Sequence, residues 1–348
     1  MIVGLVGCEV PPVTRYDVAL LDLDGVVYLG AEGIPGAAEA LEKALEAGMR
    51  RAFVTNNASR TPDEVADLLR SVGVPATATE VVTSAQAAAH LLADRLPAGA
   101  RVLVLGTEAL VSEVRARGLT PVASAEEAPA AVVQGYSPNL GWRHLAEAAI
   151  AVQRGALWVA TNLDRSVPSV RGPLPGNGAL VGAVRAAVEV DPLVTGKPEP
   201  ALHRESVERT GARHPLIVGD RLDTDIEGAS RAGVDSLLVL TGVTTPAMLL
   251  AAPRHHRPTY LAANLEGLLH PHPALEIRPD GVWCGDFGAT RQDGVLRLRG
   301  AGTDRLEALR ALCGAAWVEP GPALPGGPRH VTADGEQAAA ALRGLGLA

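Results

Sequence analysis

Apolar runs alternate with amphipathic stretches at the start of the chain. The run "DVALLDLDGVVY" (17–28) has the continuous apolar character of a strand buried on both faces of a parallel sheet. The stretch "PGAAEALEKALEAGM" (35–49) has helical periodicity, with Pro near its start and Gly48 at its end. "RRAFVTNN" (50–57) predicts a second strand, and "TPDEVADLLRSVG" (61–73) predicts a helix with a Thr61–Glu64 capping box. This alternation predicts a doubly wound α/β sheet.

A second series of alternating strands and helices is predicted in the middle of the chain, and segments that continue the first series follow it. "RVLVLG" (101–106), "AAVVQGY" (130–136) and "LWVATN" (157–162) predict strands separated by helices. "PLIVGDRLDTDIEGASRAG" (215–233) and "DSLLVLTG" (235–242) then resume the first pattern. The middle unit is therefore interpreted as an α/β insertion between strands of the first domain.

The kind of predicted element changes beyond about residue 265. "PHPALEIRPDGVWCG" and "DGVLRLRG" predict short antiparallel strands, and "TDRLEALRALCG" and "GEQAAAALRGLG" predict helices, the first capped by Thr303. We therefore predict a discontinuous core domain of residues 1–83 and 191–264, an inserted domain of residues 84–190, and a small α+β extension of residues 265–348.

Composition excludes several classes of function. The 348 residues carry a net charge of −8, which argues against a nucleic-acid partner. No apolar run approaches the roughly 18 residues that a membrane helix needs. The three cysteines form no metal-spaced pair or disulfide framework, so a cytoplasmic protein is expected. The histidines show no ligand spacing, and we interpret them as surface residues or satisfied core residues.

Polar residues cluster where the apolar strands stop. They are Asp22 and Asp24 after the first strand, Thr55, Asn56 and Asn57 after the second, Lys197 in a turn, and Asp220, Asp223 and Asp225 after "LIVG". In open parallel sheets ligands bind outside the carboxyl ends of strands, so these groups are expected to meet in one crevice. Carboxylates that meet there require a hard divalent cation such as Mg²⁺, which also accepts phosphate oxygens. Gly25 would let the backbone approach a ligand closely. The set therefore describes a phosphoryl-binding site with a carboxylate that can attack phosphorus.

Four motifs resemble, in order and spacing, those of the haloacid dehalogenase (HAD) superfamily of phosphatases. They are "DLDGVVY", "FVTNNASRT", "GKPEP" and "GDRLDTDI". The resemblance is to the nitrophenyl-phosphatase-like subfamily, in which a large α/β cap domain is inserted into a Rossmann-like core. It covers residues 16–262, and it implies a homodimer formed through the cap.

The resemblance also implies a role for each motif residue. Asp22 is the nucleophile, and Asp24 is the general acid and base. Thr55, Asn56 and Asn57 hold the phosphoryl oxygens, Gly25 borders the substrate, and Lys197 steadies the nucleophile and the phosphate. Asp22, Asp24 through its carbonyl, and Asp220 bind Mg²⁺, and Asp225 supports a metal-bound water. In the cap segment "ATNLDRSVPSVRGPLPGNGALVGAV", Asn162, Asp164 and Arg171 are candidates for contact with the leaving group.

The C-terminal unit resembles the acetyltransferase-like (GNAT) extension of a group of glycerol-3-phosphate phosphatases. "RLRGAGTDRLEAL" fits a pyrophosphate-loop pattern with Arg297, Gly300 and Gly302, but we interpret it as a tight turn before a capped helix. The expected substrate is a small phosphorylated metabolite, glycerol 3-phosphate first, with 2-phosphoglycolate and pyridoxal phosphate as alternatives. A non-catalytic module that senses phosphometabolites and a phosphomutase are the competing functions.

Overall fold

The computed structural model describes residues 4–167, 171–318 and 330–348. Its strands, in chain order, are β1 (Val18–Leu21), β2 (Tyr28–Leu29), β3 (Glu32–Gly33), β4 (Arg50–Thr55), β5 (Val81–Thr83), β6 (Arg101–Leu105), β7 (Thr120–Val122), β8 (Ala131–Gln134), β9 (Leu157–Ala160), β10 (Ser166–Val167), β11 (Leu174–Pro175), β12 (Leu193–Val194), β13 (Pro215–Gly219), β14 (Asp235–Val239), β15 (Tyr260–Ala262), β16 (Glu276–Arg278), β17 (Gly281–Cys284), β18 (Phe287–Gln292), β19 (Val295–Gly300) and β20 (His330–Asp334).

The α-helices lie mostly between these strands. They are α1 (Ala37–Glu46), α2 (Pro62–Ser71), α3 (Ser84–Arg95), α4 (Glu108–Ala116), α5 (Trp142–Gln153), α6 (Asn177–Arg185), α7 (Pro200–Thr210), α8 (Glu227–Ala232), α9 (Pro246–Leu250), α10 (Arg305–Trp317) and α11 (Glu336–Gly344). The predicted capping box of α2 is confirmed, because the Thr61 N–H donates to Glu64 and the Glu64 N–H donates to the Thr61 hydroxyl. No helix among the described residues is long and apolar enough to cross a membrane.

The chain divides into two compact units. The first unit comprises Met1–Arg51, Val72–Val74 and Ala212–Ala348, and the second comprises Ala52–Ser71 and Pro75–Gly211. This division differs from the three predicted domains, whose boundaries stay a prediction.

The first unit contains four parallel strands in the order β15-β14-β13-β1. The run at 17–28 forms β1 over Val18–Leu21, where all four side chains are buried, and reaches a second, two-residue strand at Tyr28. Leu21 lies opposite Val218 in β13, so both strands end at the same level and at the same edge of the sheet. The polar residues that follow them are therefore neighbours.

The C-terminal residues of the first unit form a second sheet, β16-β17-β18-β19-β20. Its first three pairings are antiparallel as predicted, whereas β19 and β20 are parallel. The helix α10 begins at Arg305 with Asp304 as its N-cap, so the prediction of Thr303 as the cap is wrong. The Asp304 carboxylate accepts the Leu306 N–H at 2.8 Å.

One hydrophobic cluster joins the two sheets of the first unit. Leu238 of β14 and Leu261 of β15 are buried together with Phe287 of β18 and Trp317 of α10. Burial of apolar area is the main force that holds such layers together, so the C-terminal extension is packed as part of this unit.

The second unit contains the parallel sheet β12-β9-β8-β6-β7 and the parallel pair β4–β5. Neighbouring strand residues such as Val102 and Leu103 point to opposite faces of the five-stranded sheet. Val102 packs with residues of α3 and α4, and Leu103 packs with residues of α5 and α6. The predicted middle α/β layer structure is therefore confirmed as helices on both faces of a parallel sheet.

Candidate active site

Two carboxylates lie at the carboxyl ends of neighbouring strands of the first unit. Asp22 follows β1 directly, is half-buried, and donates its backbone N–H to the Val218 carbonyl at 2.8 Å. Asp220 follows β13 and is completely buried. The strand pairing thus brings together two residues that are 198 positions apart in the sequence.

The Asp220 carboxylate is enclosed closely by backbone. Its Oδ2 accepts the Val243 N–H at 2.6 Å. A Cβ on Gly25 would lie 2.6 Å from Asp220 Cγ, and Gly25 has a φ of +86°. The Gly25 carbonyl in turn accepts the Thr241 hydroxyl at 2.6 Å. Only glycine fits at position 25, because any side chain would displace the carboxylate and would be strained by the positive φ.

A third carboxylate reaches the same place from a turn of π-helix over Leu222–Ile226. Asp225 is 1% exposed, and its Oδ2 accepts the Arg221 N–H at 3.1 Å. Asp22, Asp220 and Asp225 each offer one oxygen, and these atoms lie within 4.8 Å of one another. Three like charges at this spacing repel, whereas carboxylate oxygens are the ligands that Mg²⁺ prefers. The donor set therefore fits a hard divalent cation.

The other two aspartates of these motifs are exposed. Asp24 lies one residue beyond the buried Leu23, where its side chain is open to solvent. Asp223 forms a two-pronged ion pair with Arg221, with Nε–Oδ1 and Nη2–Oδ2 distances of 3.1 and 2.9 Å. Asp223 is thus a loop charge, whereas the exposed position of Asp24 suits a group that exchanges protons with a substrate or a water.

In the second unit, Thr55 ends β4 and is almost buried. Its hydroxyl accepts the Asn57 N–H at 3.1 Å. The exposed Asn57 uses its own Oδ1 locally, since it accepts both the N–H and the hydroxyl of Ser59 at 2.8 and 2.7 Å. This arrangement is a tight polar turn at the end of the strand, in which the N–H groups of Asn57 and Ser59 are bonded within the turn.

Lys197 is buried in the second unit, with 4% of its surface exposed. Its Nζ donates to the Val54 carbonyl at 3.3 Å. Its backbone is held by one side chain, because Asn56 Oδ1 accepts the Lys197 N–H at 2.7 Å and Asn56 Nδ2 donates to the Lys197 carbonyl at 3.1 Å. The structure therefore brings together Asn56 and Lys197, two predicted site residues 141 positions apart.

The three candidates from the cap segment differ in their surroundings, and the Asp164 carboxylate accepts from Asn56 Nδ2 at 3.4 Å. Asn162 is 4% exposed, donates to the Asn56 carbonyl at 2.8 Å and accepts the Asp164 N–H at 3.1 Å. Arg171 is exposed in a turn that follows residues 168–170, which lie outside the described residues. Their assignment as substrate-binding residues stays a prediction.

The interpretation of the histidines as surface or satisfied core residues is wrong for His203. This residue lies in α7, is 2% exposed, and neither ring nitrogen has a hydrogen-bond partner among the described residues. Burial, and then the charge of Lys197, lower the pKa of His203 to about 3. A lone histidine in a helix gives no sequence signal of this kind, because the signal is the tertiary environment.

His203 should make the protein sensitive to acid. Below pH 6.5 this histidine is protonated in the unfolded chain. In the folded protein it stays neutral until the pH falls to about 3, because its pKa is lowered. The free energy of unfolding should therefore fall by about 1.4 kcal/mol for each pH unit below 6.5 through this one group. In His203→Leu this slope should be smaller by that amount when urea unfolding is measured from pH 7 to pH 4.5.

The exposed His214 provides the control for this experiment. His214→Leu replaces the same residue types at the surface and should change the free energy of unfolding at pH 7 by less than about 0.5 kcal/mol. Parallel curves for the wild type and His203→Leu would contradict the prediction.

Comparison with protein families places known models on both parts of the chain. Residues 19–120 match a model described as haloacid dehalogenase-like hydrolase, and residues 194–268 match one described as HAD-hydrolase-like. Residues 284–347 match a GCN5-related N-acetyltransferase like domain. The predicted GNAT-like extension is thus confirmed.

Two relatives that the chain resembles are phosphatases. The chain is 47% identical over 337 residues to D-glycerol 3-phosphate phosphatase of Mycobacterium tuberculosis, covering 94% of each. It is 39% identical over 233 residues to an acid sugar phosphatase of Staphylococcus saprophyticus, covering 66% of this chain and 89% of the relative.

Solved structures give the same picture. A glycerol phosphate phosphatase from Mycobacterium tuberculosis in complex with magnesium has a TM-score of 0.88 at 46% identity, covering 97% of this chain and 99% of that one. The 4-nitrophenylphosphatase from Thermotoga maritima has a TM-score of 0.69 at 34% identity, covering 74% of this chain and 98% of that one. The predicted α/β fold class, with its Rossmann-like core, is confirmed by these likenesses.

Proposed function

We propose a function from the premise that the chain belongs to the haloacid dehalogenase-like hydrolase family, as a phosphatase of that family. The proposed reaction is hydrolysis of a small phosphomonoester, glycerol 3-phosphate, to glycerol and inorganic phosphate. The observation that carries it is the group Asp22, Asp220 and Asp225, whose oxygens lie within 4.8 Å of one another at the ends of β1 and β13. The 47% identity to a glycerol 3-phosphate phosphatase along 94% of the chain supports the choice of substrate.

Chemically, we propose two displacements at phosphorus. An Asp22 carboxylate oxygen attacks the phosphorus, the bond from phosphorus to the glycerol oxygen breaks, and Asp24 gives that oxygen a proton. A water then attacks the aspartyl phosphate, Asp24 takes a proton from it, and the bond between Asp22 and phosphorus breaks. Inorganic phosphate leaves and both carboxyl groups return to their starting states.

Mg²⁺, when bound, neutralises charge on the phosphoryl group and on the carboxylates. The residues proposed to hold it are Asp22, Asp220 and the carbonyl of Asp24, and Asp225 would orient a metal-bound water. Gly25 leaves room beside Asp220 that a side chain would fill.

The remaining assignments concern the phosphoryl oxygens and the leaving group. We propose that Thr55 and the loop with Asn56 and Asn57 hold the oxygens and that Lys197 stabilises their charge. The fixed turn from Thr55 to Asn57 and the buried ammonium group of Lys197 support this proposal. Proposed contacts with the leaving group come from the region of Asn162 and Arg171.

The test of the substrate is the release of inorganic phosphate in the presence of Mg²⁺. Glycerol 3-phosphate should be hydrolysed with the highest kcat/KM in a panel that also contains 2-phosphoglycolate and pyridoxal phosphate. A higher value for either of these would replace the substrate. Tight binding of the panel compounds without any turnover would favour a module that senses phosphometabolites.

Removing the carboxylate of Asp225 should weaken metal binding without removing the nucleophile. Loss of a residue that orients a metal ligand usually costs about 10–100-fold in metal affinity. The Mg²⁺ concentration for half-maximal activity should therefore rise by about this factor in Asp225→Asn. Asp223→Asn, in the same turn but exposed and paired with Arg221, is the control and should leave this concentration unchanged. Equal effects of the two substitutions would contradict the assignment.

Two further proposals concern the location and the association of the enzyme. The three cysteines are all buried and free, which supports a cytoplasmic location. A homodimer through residues 84–190 stays a proposal, and Trp142 in this segment is 80% exposed, as an apolar contact residue would be before association. A nucleic-acid partner is not proposed, in keeping with the net charge of −8.

A further inference from the structure

Three asparagine side chains of the second unit form a chain of hydrogen bonds that ends at Lys197; Asn162 and Asn177 are buried and Asn56 is half-buried. Asn177 Nδ2 donates to the Asn162 carbonyl at 2.8 Å, and Asn162 Nδ2 donates to the Asn56 carbonyl at 2.8 Å. Asn56 then holds the Lys197 backbone through both its amide atoms, at 2.7 and 3.1 Å. Each link joins a side-chain amide to a main-chain group, so the chain fixes the backbone at every step.

The far end of this chain is as buried as the near end. Asn177 is the first residue of α6 and is 1% exposed. Its Nδ2 also donates to the Gln134 carbonyl at the end of β8, at 3.2 Å. A buried amide that makes such bonds is costly to replace, since its loss leaves carbonyl groups without donors. Asn177 therefore anchors the chain to the five-stranded sheet.

The backbone packs closely at both ends of this chain of hydrogen bonds. A Cβ on Gly196, the residue before Lys197, would lie 2.7 Å from Asn56 Oδ1 and 2.5 Å from the Thr161 carbonyl. A Cβ on Gly178, the residue after Asn177, would lie 2.2 Å from the Leu163 carbonyl. Both glycines permit contacts that a side chain would prevent, so Lys197 and Asn177 each lie beside tightly packed backbone.

We infer that Asn177 is a positioning residue for Lys197, acting through Asn162 and Asn56. The inference rests on the proposed function, in which Lys197 stabilises charge on the phosphoryl group. It also gives the side chains of Asn56 and Asn162 a positioning task in addition to the proposed contacts with substrate, because their amides bond to main-chain groups. A displacement of a catalytic group by about 1 Å can cost on the order of 10²-fold in rate, so an indirect role of this kind has a measurable effect.

The test compares Asn177→Asp in two backgrounds. This substitution keeps the shape of the side chain but replaces the donor with a carboxylate that repels the two carbonyls. In the wild-type background kcat for glycerol 3-phosphate should fall by about 10²-fold. In a Lys197→Met background the same substitution should have less than about a 3-fold effect, since the group through which it acts is already absent. Asn139→Asp, at an exposed position of the same unit, is the control and should leave kcat unchanged.

A second readout does not depend on turnover. Lys43 and Lys197 are the only lysines of the chain, so protein labelled with ¹³C at the lysine ε-carbon gives two signals. Asn177→Asp should move the signal of Lys197 and leave that of Lys43, which is exposed and paired with Glu39 in the first unit. If the aspartate variant does not fold, Asn177→Ser takes its place. It retains one donor, and it should also move the signal of Lys197.

The outcomes separate this inference from the proposed function. Absence of phosphate release by the wild type would refute the function, and the Lys197 signal would still report the positioning. Equal losses of kcat in the two backgrounds would show that Asn177 supports the fold alone, and an unmoved Lys197 signal would overturn the inference directly.

Discussion

Asp22→Asn will lower phosphate release from glycerol 3-phosphate by at least about 10⁴-fold, the scale seen when an enzyme loses its nucleophile. An amide oxygen is a far weaker nucleophile than a carboxylate. The amide is also neutral, so it is a weaker ligand for Mg²⁺. The backbone of Asp22 stays in place, because its N–H bonds to the Val218 carbonyl whatever the side chain is. We expect the variant to fold and to retain part of its affinity for phosphate.

Two measurements complete this experiment. Asp24→Asn should lose less, by about 10²–10⁴-fold, since it removes an acid and base but keeps the nucleophile. Unfolding of Asp22→Asn in urea should occur at or above the wild-type midpoint, because the substitution removes one of three charges that repel each other. If Asp22→Asn kept more than about one tenth of the wild-type rate, the aspartyl-phosphate route would be refuted.

The sequence was sufficient to predict the parts of the fold that depend on local pattern. The strand ends that carry Asp22 and Asp220, and the capping box of Thr61 and Glu64, follow from periodicity and from residues with specific backbone preferences. The four ordered motifs also indicated the family, because their residue types make chemical sense only together.

Tertiary features could not be predicted in this way. Nothing in the local sequence shows that Asn56 binds both sides of the Lys197 peptide backbone, or that Asn177 belongs to the same chain of amides. The pKa of His203 depends on burial beside Lys197, which only the fold creates. The cap at Asp304 rather than Thr303 reflects a helix start one residue later than the pattern suggested.

The C-terminal extension is the largest feature for which the sequence left the function open. The cluster that contains Phe287 and Trp317 also contains Leu222 and Ile226, which flank Asp225 in the π-helical turn. The extension thus supports the turn that carries a proposed metal-site carboxylate. This argues that the GNAT-like domain is a structural part of the first unit rather than an appended enzyme.

The extension and the metal site should consequently unfold together in urea. Truncation of Trp317 should move this shared transition to a lower urea concentration. Trp317 is 2% exposed, and the Arg257 guanidinium lies 5.1 Å from its ring centroid. Trp317→Ala should lower the free energy of unfolding by about 3–5 kcal/mol, the usual cost of emptying the space of a buried tryptophan. Ile277→Ala, at a site in β16 of the same extension that is 65% exposed, is the control and should change it by less than about 0.5 kcal/mol.

Cooperativity distinguishes a structural extension from an independent one. If the shared cluster couples the two sheets, far-UV circular dichroism and Mg²⁺-dependent activity of Trp317→Ala will be lost at one urea concentration, lower than that of the wild type. An early transition that leaves the activity intact would show that the extension unfolds alone. In that case the contacts of Leu222 and Ile226 with the cluster would not be needed to hold Asp225, and a separate binding role for the extension would gain support.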